Sequence, residues 1–188
     1  RFDDWEWAQR LFSIQLLLAL TIVVGVAGMS HGVNIIDGFN GLASGSVLVM
    51  AATLAIIAIL ESSVKLFVVS SALAIWIPFF LIWNFPGGKI FLGDGGAYLL
   101  GAWVAIAMYV AIDEGSVTPM AFMSIGSYPI FETAFSIVRK TASKGKSPLR
   151  PDNYHLHMLV FRWAEDKFLA DKNSSANNAR VTLIILPF

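Results

Sequence analysis

Three short polar stretches interrupt an otherwise apolar chain, and each carries side chains suited to handling phosphate. The first reads NIIDGFNGL, with Asn34, Asp37 and Asn40 three residues apart. One helical turn would put them on a common face, and Gly38 and Gly41 leave room for a close approach by ligand or backbone. A cap or turn at a membrane surface uses the same residue types, so this stretch alone leaves both readings open. The second reads NFPGGKIFLGDGG, from Asn84 to Gly96, with five glycines around Lys89 and Asp94. A glycine-rich loop entering a helix offers backbone N–H groups and a positive helix end to phosphates. Asp94 suits a hard cation, because magnesium is commonly held by one or two carboxylates with phosphates and water completing its shell. Lys89 can neutralise phosphate charge, or lie back along an interface as a snorkelling side chain.

The third stretch, KGKSPLRPDNYHLH, runs from Lys144 to His157 and is basic and proline-interrupted. It fits an anionic headgroup or nucleotide phosphates, and equally a solvated basic loop. His155 and His157 are two apart and share a side only where the backbone is extended. Without cysteine, and with histidine a poor magnesium ligand, phosphate binding or proton handling suits the pair better than zinc. Glu132 stands in an apolar run, where an acid is a functional candidate by default. Arg139 follows two turns later on the same face, so a Glu132–Arg139 tie and a role in the site both stand. His31 has no evident partner and reads as incidental.

The elements that must position these residues are membrane helices. The 188 residues are 56% hydrophobic and 14% charged, with mean hydropathy +0.68. Asp37 is the only formal charge between Arg10 and Glu61, and none lies between Lys65 and Lys89. Spans of ~20 apolar residues cross a bilayer core, and five are expected, at about 11–29, 42–60, 66–83, 97–112 and 117–138. A sixth begins near 181. The fold class is all-α: a polytopic transmembrane bundle read as one membrane-embedded domain over 1–188, a piece of a longer protein. Sequential crossing places the three polar stretches on one side. Nine of the thirteen Lys and Arg residues fall in 139–180, which assigns that side and that loop to the cytoplasm. A net charge of zero argues against nucleic acid as a partner.

Taken in order between spans, NIIDGFNGL, the NFP–GGKIFLGDGG run and PDNYHLH resemble the polyprenyl-phosphate N-acetylhexosamine-1-phosphate transferases. That superfamily includes the phospho-N-acetylmuramoyl-pentapeptide transferase of peptidoglycan synthesis and the enzymes that start surface polysaccharides. The resemblance implies catalytic roles for Asn34, Asp37 and Asp94, with Asp94 as the ligand of Mg2+ or Mn2+. It implies substrate contacts at Asn40, Asn84, Lys89, Phe91, Arg139, His155 and His157, with Phe91 stacking on uracil. The implied partners are a UDP-N-acetylhexosamine and undecaprenyl phosphate, beside the lipid bilayer that the spans call for; a homodimer is left open, and the implied place is the bacterial inner membrane. Asn40 stands where the muramoyl branch has a second Asp, and Met158 replaces the usual last His. Both departures point to the surface-polysaccharide branch, with O-antigen initiation as the expected step. The family also has an acidic pair at the end of an upstream span. Asp3 and Asp4 are rejected as that pair, because the crossing order puts them on the opposite side. The rival class is a transporter of an anionic substrate, for which an intramembrane acid and glycine-broken spans also fit; its internal repeats are not seen in the sequence.

Overall fold

The computed structural model describes residues 15–142, 155–167 and 174–186. Asp3 and Asp4, the start of the first expected span, and Lys144, Lys146, Arg150 and Lys172 of the basic loop lie outside them. The described residues are helical: α1 (Gln15–Ile36), α2 (Leu42–Leu60), α3 (Val64–Asn84), α4 (Gly93–Asp113), α5 (Pro119–Ile125), α6 (Ser127–Ala142), α7 (Leu156–Lys167) and α8 (Ser174–Ile185). Four of them, α1 to α4, are long and apolar enough to cross a membrane, and the bent pair α5–α6 makes a fifth if taken together.

These helices form because a chain in hydrocarbon must pair its own backbone groups. Hydroxyls inside the spans obey the same rule. Thr21, Ser46, Thr53 and Ser70 each donate to the carbonyl four residues earlier. The outward faces are apolar, with Val24, Ile56, Ile75, Trp76, Phe79 and Ile82 exposed to what would be lipid. The core lies between α1, α2, α3 and α4, around Met29, Val33, Val47, Leu54, Leu73, Val104 and Met108. The short links gather at one end of the bundle, where Lys65 pairs with Asp113 at 3.7 Å and Ser63 donates to Glu114. The polar stretches lie at the other end.

The helices overrun the expected spans at that polar end. α1 continues to Ile36 and takes in Asn34, α3 ends on Asn84, and α4 begins at Gly93 with Asp94 in its first turn. Polar residues extend a helix beyond the hydrocarbon without charge penalty, so hydropathy marks where the membrane ends rather than where the helix does. The fifth expected span, 117–138, is not one helix. It breaks at Gly126 into α5 and α6, bent by 82°. Pro129 has no N–H for the carbonyl of Ile125. Instead the N–H of Gly126 closes α5 on Phe122, and that of Ile130 opens α6 on Gly126.

The antiparallel helices α1 and α4 pack backbone against backbone. A Cβ on Gly101 would meet Ser30 Cα at 2.5 Å and the Met29 carbonyl oxygen at 2.8 Å, whereas one on Gly25 would meet nothing within 4 Å. Gly101→Val is therefore expected to destabilise the bundle by ~1–3 kcal/mol or more, and Gly25→Ala to leave it unchanged. Thermal unfolding of the two variants in the same detergent checks this; equal melting midpoints would contradict the close packing.

Candidate active site

The first two polar stretches are joined by a pair of buried carboxamides. Gly38 and Gly41 end the helical path after Ile36, and Gly41, at φ +78°, turns the chain into α2, a conformation that favours glycine. Its N–H donates to Asn84 Oδ1 at 2.6 Å, while Asn84 Nδ2 donates to the Ile90 carbonyl at 2.8 Å. Asn40 Nδ2 donates to the Pro86 carbonyl at 3.0 Å, and Thr182 of α8 donates to the Asn40 carbonyl at 2.9 Å. Asn40 and Asn84 are both buried. Their amides shape the two loops, so the expected single face of Asn34, Asp37 and Asn40 divides. Asn34 and Asp37 turn toward α4, and Asn40 turns into the loop junction.

At α4, Asn34 Nδ2 donates to Tyr98 Oη at 3.4 Å. Tyr98 lies one turn after Asp94, a spacing that places both on one face of the helix. Asp37 lies near enough to Asp94 for the two charges to interact. Burial first, and then the Asp94 carboxylate, pushes Asp37 up to about 6. Two carboxylates held this way disfavour their own joint ionisation, and a divalent cation would relieve that. Among the described residues no three His, Cys, Asp or Glu gather into a closed metal cage. The two carboxylates alone are the kind of donor that would suit a magnesium-type ion, with phosphate and water as its remaining ligands. On the second loop, Lys89 Nζ lies 5.4 Å from the Trp83 ring centre, and Phe91 presents an exposed ring.

The described end of the third stretch, His155 to His157, packs against the first. His155 immediately precedes α7 and its carbonyl accepts the first helical bond, from Leu159. The two histidines share a side, their rings nearly parallel at 4° with centres 5.5 Å apart. His157 is buried beneath the first loop, with Phe39 edge-on at 5.1 Å. A Cβ on Gly38 would meet His157 Nε2 at 2.6 Å, so only glycine admits the ring there. Burial, and next to it the His155 ring, lower His157 to about 4 against the opposing pull of Glu132. Glu132 itself is fully buried. Its Oε1 lies 3.0 Å from His155 Nδ1 and accepts the Leu156 N–H at 2.8 Å. The intramembrane acid is thus engaged by the third loop rather than by Arg139, whose guanidinium lies 5.5 Å from the Phe135 ring centre. An apolar cavity of ≈ 340 Å³ lies beside this junction, lined by Tyr128, Phe131, Leu156, Val160 and Ile184 among others.

Tyr98 and Thr182 are site-shaping residues that sequence reasoning missed. The four-residue interval from Asp94 could have found Tyr98. No local signal could have found Thr182, which reaches its partner across 142 residues.

The family profile described as Glycosyl transferase family 4 matches residues 6–112, more than half of the chain. The chain is 36% identical over 140 residues to the undecaprenyl-phosphate alpha-N-acetylglucosaminyl 1-phosphate transferase of Thermotoga maritima, covering 74% of this chain and 42% of that protein. It is 33% identical over 146 residues to a probable undecaprenyl-phosphate N-acetylglucosaminyl 1-phosphate transferase of Bacillus subtilis, covering 72% and 38%. It is 31% identical over 150 residues to the phospho-N-acetylmuramoyl-pentapeptide-transferase of Desulforamulus reducens, covering 79% and 43%. The match thus spans less than half the length of each of these relatives.

Two outcomes follow from the buried groups. Asn84→Ala leaves the Gly41 N–H and the Ile90 carbonyl without their partner, at ~1–3 kcal/mol for each group, and thermal unfolding should show a clear loss of stability. His157 is neutral when folded and near its ordinary 6.5 when unfolded, so the unfolded chain binds more protons between about 4 and 6.5. Its contribution is intact above pH 6.5 and is lost as pH falls toward 4. Asp37, raised to about 6, acts in the opposite sense over part of that window, so the comparison is between variants: as pH falls from about 6.5 to about 4 the wild-type melting midpoint should fall relative to that of His157→Phe.

Proposed function

Because this chain belongs to glycosyl transferase family 4, we propose that it forms the nucleotide-sugar end of a multi-pass membrane phosphoglycosyltransferase. The reaction read here moves N-acetylglucosamine 1-phosphate from its UDP ester to undecaprenyl phosphate, releasing UMP. An oxygen of the lipid phosphate attacks the β-phosphorus of the donor, and the bond from that phosphorus to the bridging oxygen of UMP breaks. The observation that carries this reading is the meeting of Asp37, Asp94 and the stacked pair His155 and His157 at one end of the bundle. The identities to the two N-acetylglucosaminyl 1-phosphate transferases support the donor sugar and the lipid acceptor.

Asp94, with Asp37 beside it, would hold the magnesium or manganese ion that the family implies. Such an ion supplies charge neutralisation to a diphosphate. The chain's own residues do the rest. Gly93, Gly95 and Gly96 bring the N–H groups of the first turn of α4 to the phosphates. Lys89 adds positive charge on the loop, and the exposed Phe91 ring offers a face for the uracil. Asn40 and Asn84, locked between loops, act by fixing the shape of the pocket. The apolar cavity beside Leu156 gives a place for the first part of the lipid chain. Positioning and electrostatics carry most of the rate in phosphoryl transfer.

Arg139 and Lys140 in the last turn of α6 support a cytoplasmic placement of the site in a bacterial inner membrane. Initiation of O-antigen or a related surface polysaccharide fits the Asn40 and Met158 departures. The polar groups lie at the ends of the long spans, unlike the midplane sites of transporters. Asp94→Asn in the intact membrane protein is expected to lower magnesium-dependent UMP release by about 100-fold or more. The assay uses UDP-N-acetylglucosamine and undecaprenyl phosphate, and near-normal release would overturn the assignment.

A further inference from the structure

Glu132 is an acid with no exposed surface, set in an apolar helix. A buried carboxylate persists only where hydrogen bonds compensate its lost hydration. Among the described residues its Oε2 has no hydrogen-bond partner, and two bonds converge on Oε1: the Leu156 N–H at 2.8 Å and His155 Nδ1 at 3.0 Å. Leu156 is the first residue of α7, whose opening N–H groups have no partner within the helix. Serine, threonine, aspartate or asparagine usually supplies that cap from the preceding residue. His155 occupies that position here, and the acceptor comes from α6 instead. The same oxygen thus ends a helix and grips a ring.

We propose that Glu132 is a positioning residue of the third loop, which holds the proton of His155 on Nδ1 and thereby leaves Nε2 as the edge offered to an anionic ligand. The proposal rests on the reading above that these loops bind a phosphate-bearing substrate. A carboxylate can only accept, so the ring nitrogen facing it must be the donor. A free neutral imidazole favours the proton on Nε2; the Glu132 contact reverses that preference. In the neutral ring Nε2 then carries a lone pair, which a phosphate oxygen does not bind; it is the cation, its Nδ1–H held by Glu132, that offers the anion an N–H on Nε2. The second histidine locks the arrangement, because the His155 ring stacks on His157 and His157 in turn presses on Gly38. A line of packed groups therefore runs from Glu132 to the loop that bears Asp37. Carboxylates that orient histidines in this way at metal centres are known to matter about 10–100-fold.

The test uses the intact protein in nanodiscs with 15N-labelled histidine, at a fixed neutral pH. The His155 signals are identified by their disappearance in His155→Gln. In the wild type, Nδ1 of His155 should be protonated, whether or not Nε2 also is. Glu132→Gln keeps an accepting oxygen and should keep that state, whereas Glu132→Ala should move the proton to Nε2. Glu132→Ala should also raise KM for UDP-N-acetylglucosamine about tenfold while kcat changes less. A bare Nδ1 in the wild type, or an unmoved proton in Glu132→Ala, overturns the proposal; should Glu132→Ala not fold, the wild-type state of Nδ1 decides it. The nitrogen signals need no turnover. A wild type that releases no UMP would sink the proposed reaction and leave this inference to be judged by its own spectrum.

Discussion

Where a membrane helix ends against another loop, the backbone groups of both need partners, and water cannot reach all of them. At the end of α3 the carboxamide of Asn84 meets that need. It accepts from Gly41 with one atom and donates to Ile90 with the other. Because a carboxamide offers both functions on one rigid plane, it fixes two loops from different helix pairs relative to each other. Asn40, bonded to Pro86 and receiving Thr182 at its carbonyl, repeats the device a few ångströms away. The placement of Asp37 beside Asp94 follows from these clamps. Without them the first loop would be free to swing, and the two acids would have no reason to share a field.

The interior of the site is built from pairs of groups whose preferences conflict. Burial penalises the charge of Asp37, and repulsion by Asp94 adds to that penalty. His157 is kept neutral by burial although a buried acid lies near it. Glu132 is buried with one oxygen satisfied twice and the other, among the described residues, not at all. A protein at its stability optimum would remove such conflicts. Their concentration at one end of the bundle is the usual mark of a place kept for a charged ligand.

Much of this was legible in the chain. The bundle and the common side of the polar stretches follow from charge-free runs and the parity of crossings, because lipid penalises charge regardless of tertiary detail. Gly38, Gly41, Asp94 and the histidines stood out because their types are rare within apolar surroundings. Helix ends were less legible, since Asn34 and Asp94 sit in helical turns that hydropathy assigns to loops. The break at Gly126 needed the missing N–H of Pro129 to be weighed against an unbroken apolar run. The partner of Glu132 was illegible for a different reason. His155 is 23 residues away, across a link whose course no local pattern specifies, while Arg139 sat at an inviting helical interval. The loop bonds of Asn40 and Asn84 were not legible either, because side-chain chemistry alone does not tell which partner a carboxamide will find.

The seam between Ser30 and Gly101 adds a consequence of its own. Gly101 follows Asp94 by seven residues, and Ser30 precedes Asp37 by seven, on helices running in opposite directions. Both legs climb ~10 Å from that seam to the same surface, at 1.5 Å per residue. The seam thus works as a vernier. A slip of one helical turn would shift one acid against the other by ~5.4 Å, farther than a single small ion can straddle. The spacing of two carboxylates at the water's edge is in this way a dimension cut into backbone deep in the oily layer, where neither loop composition nor ionic strength can retune it.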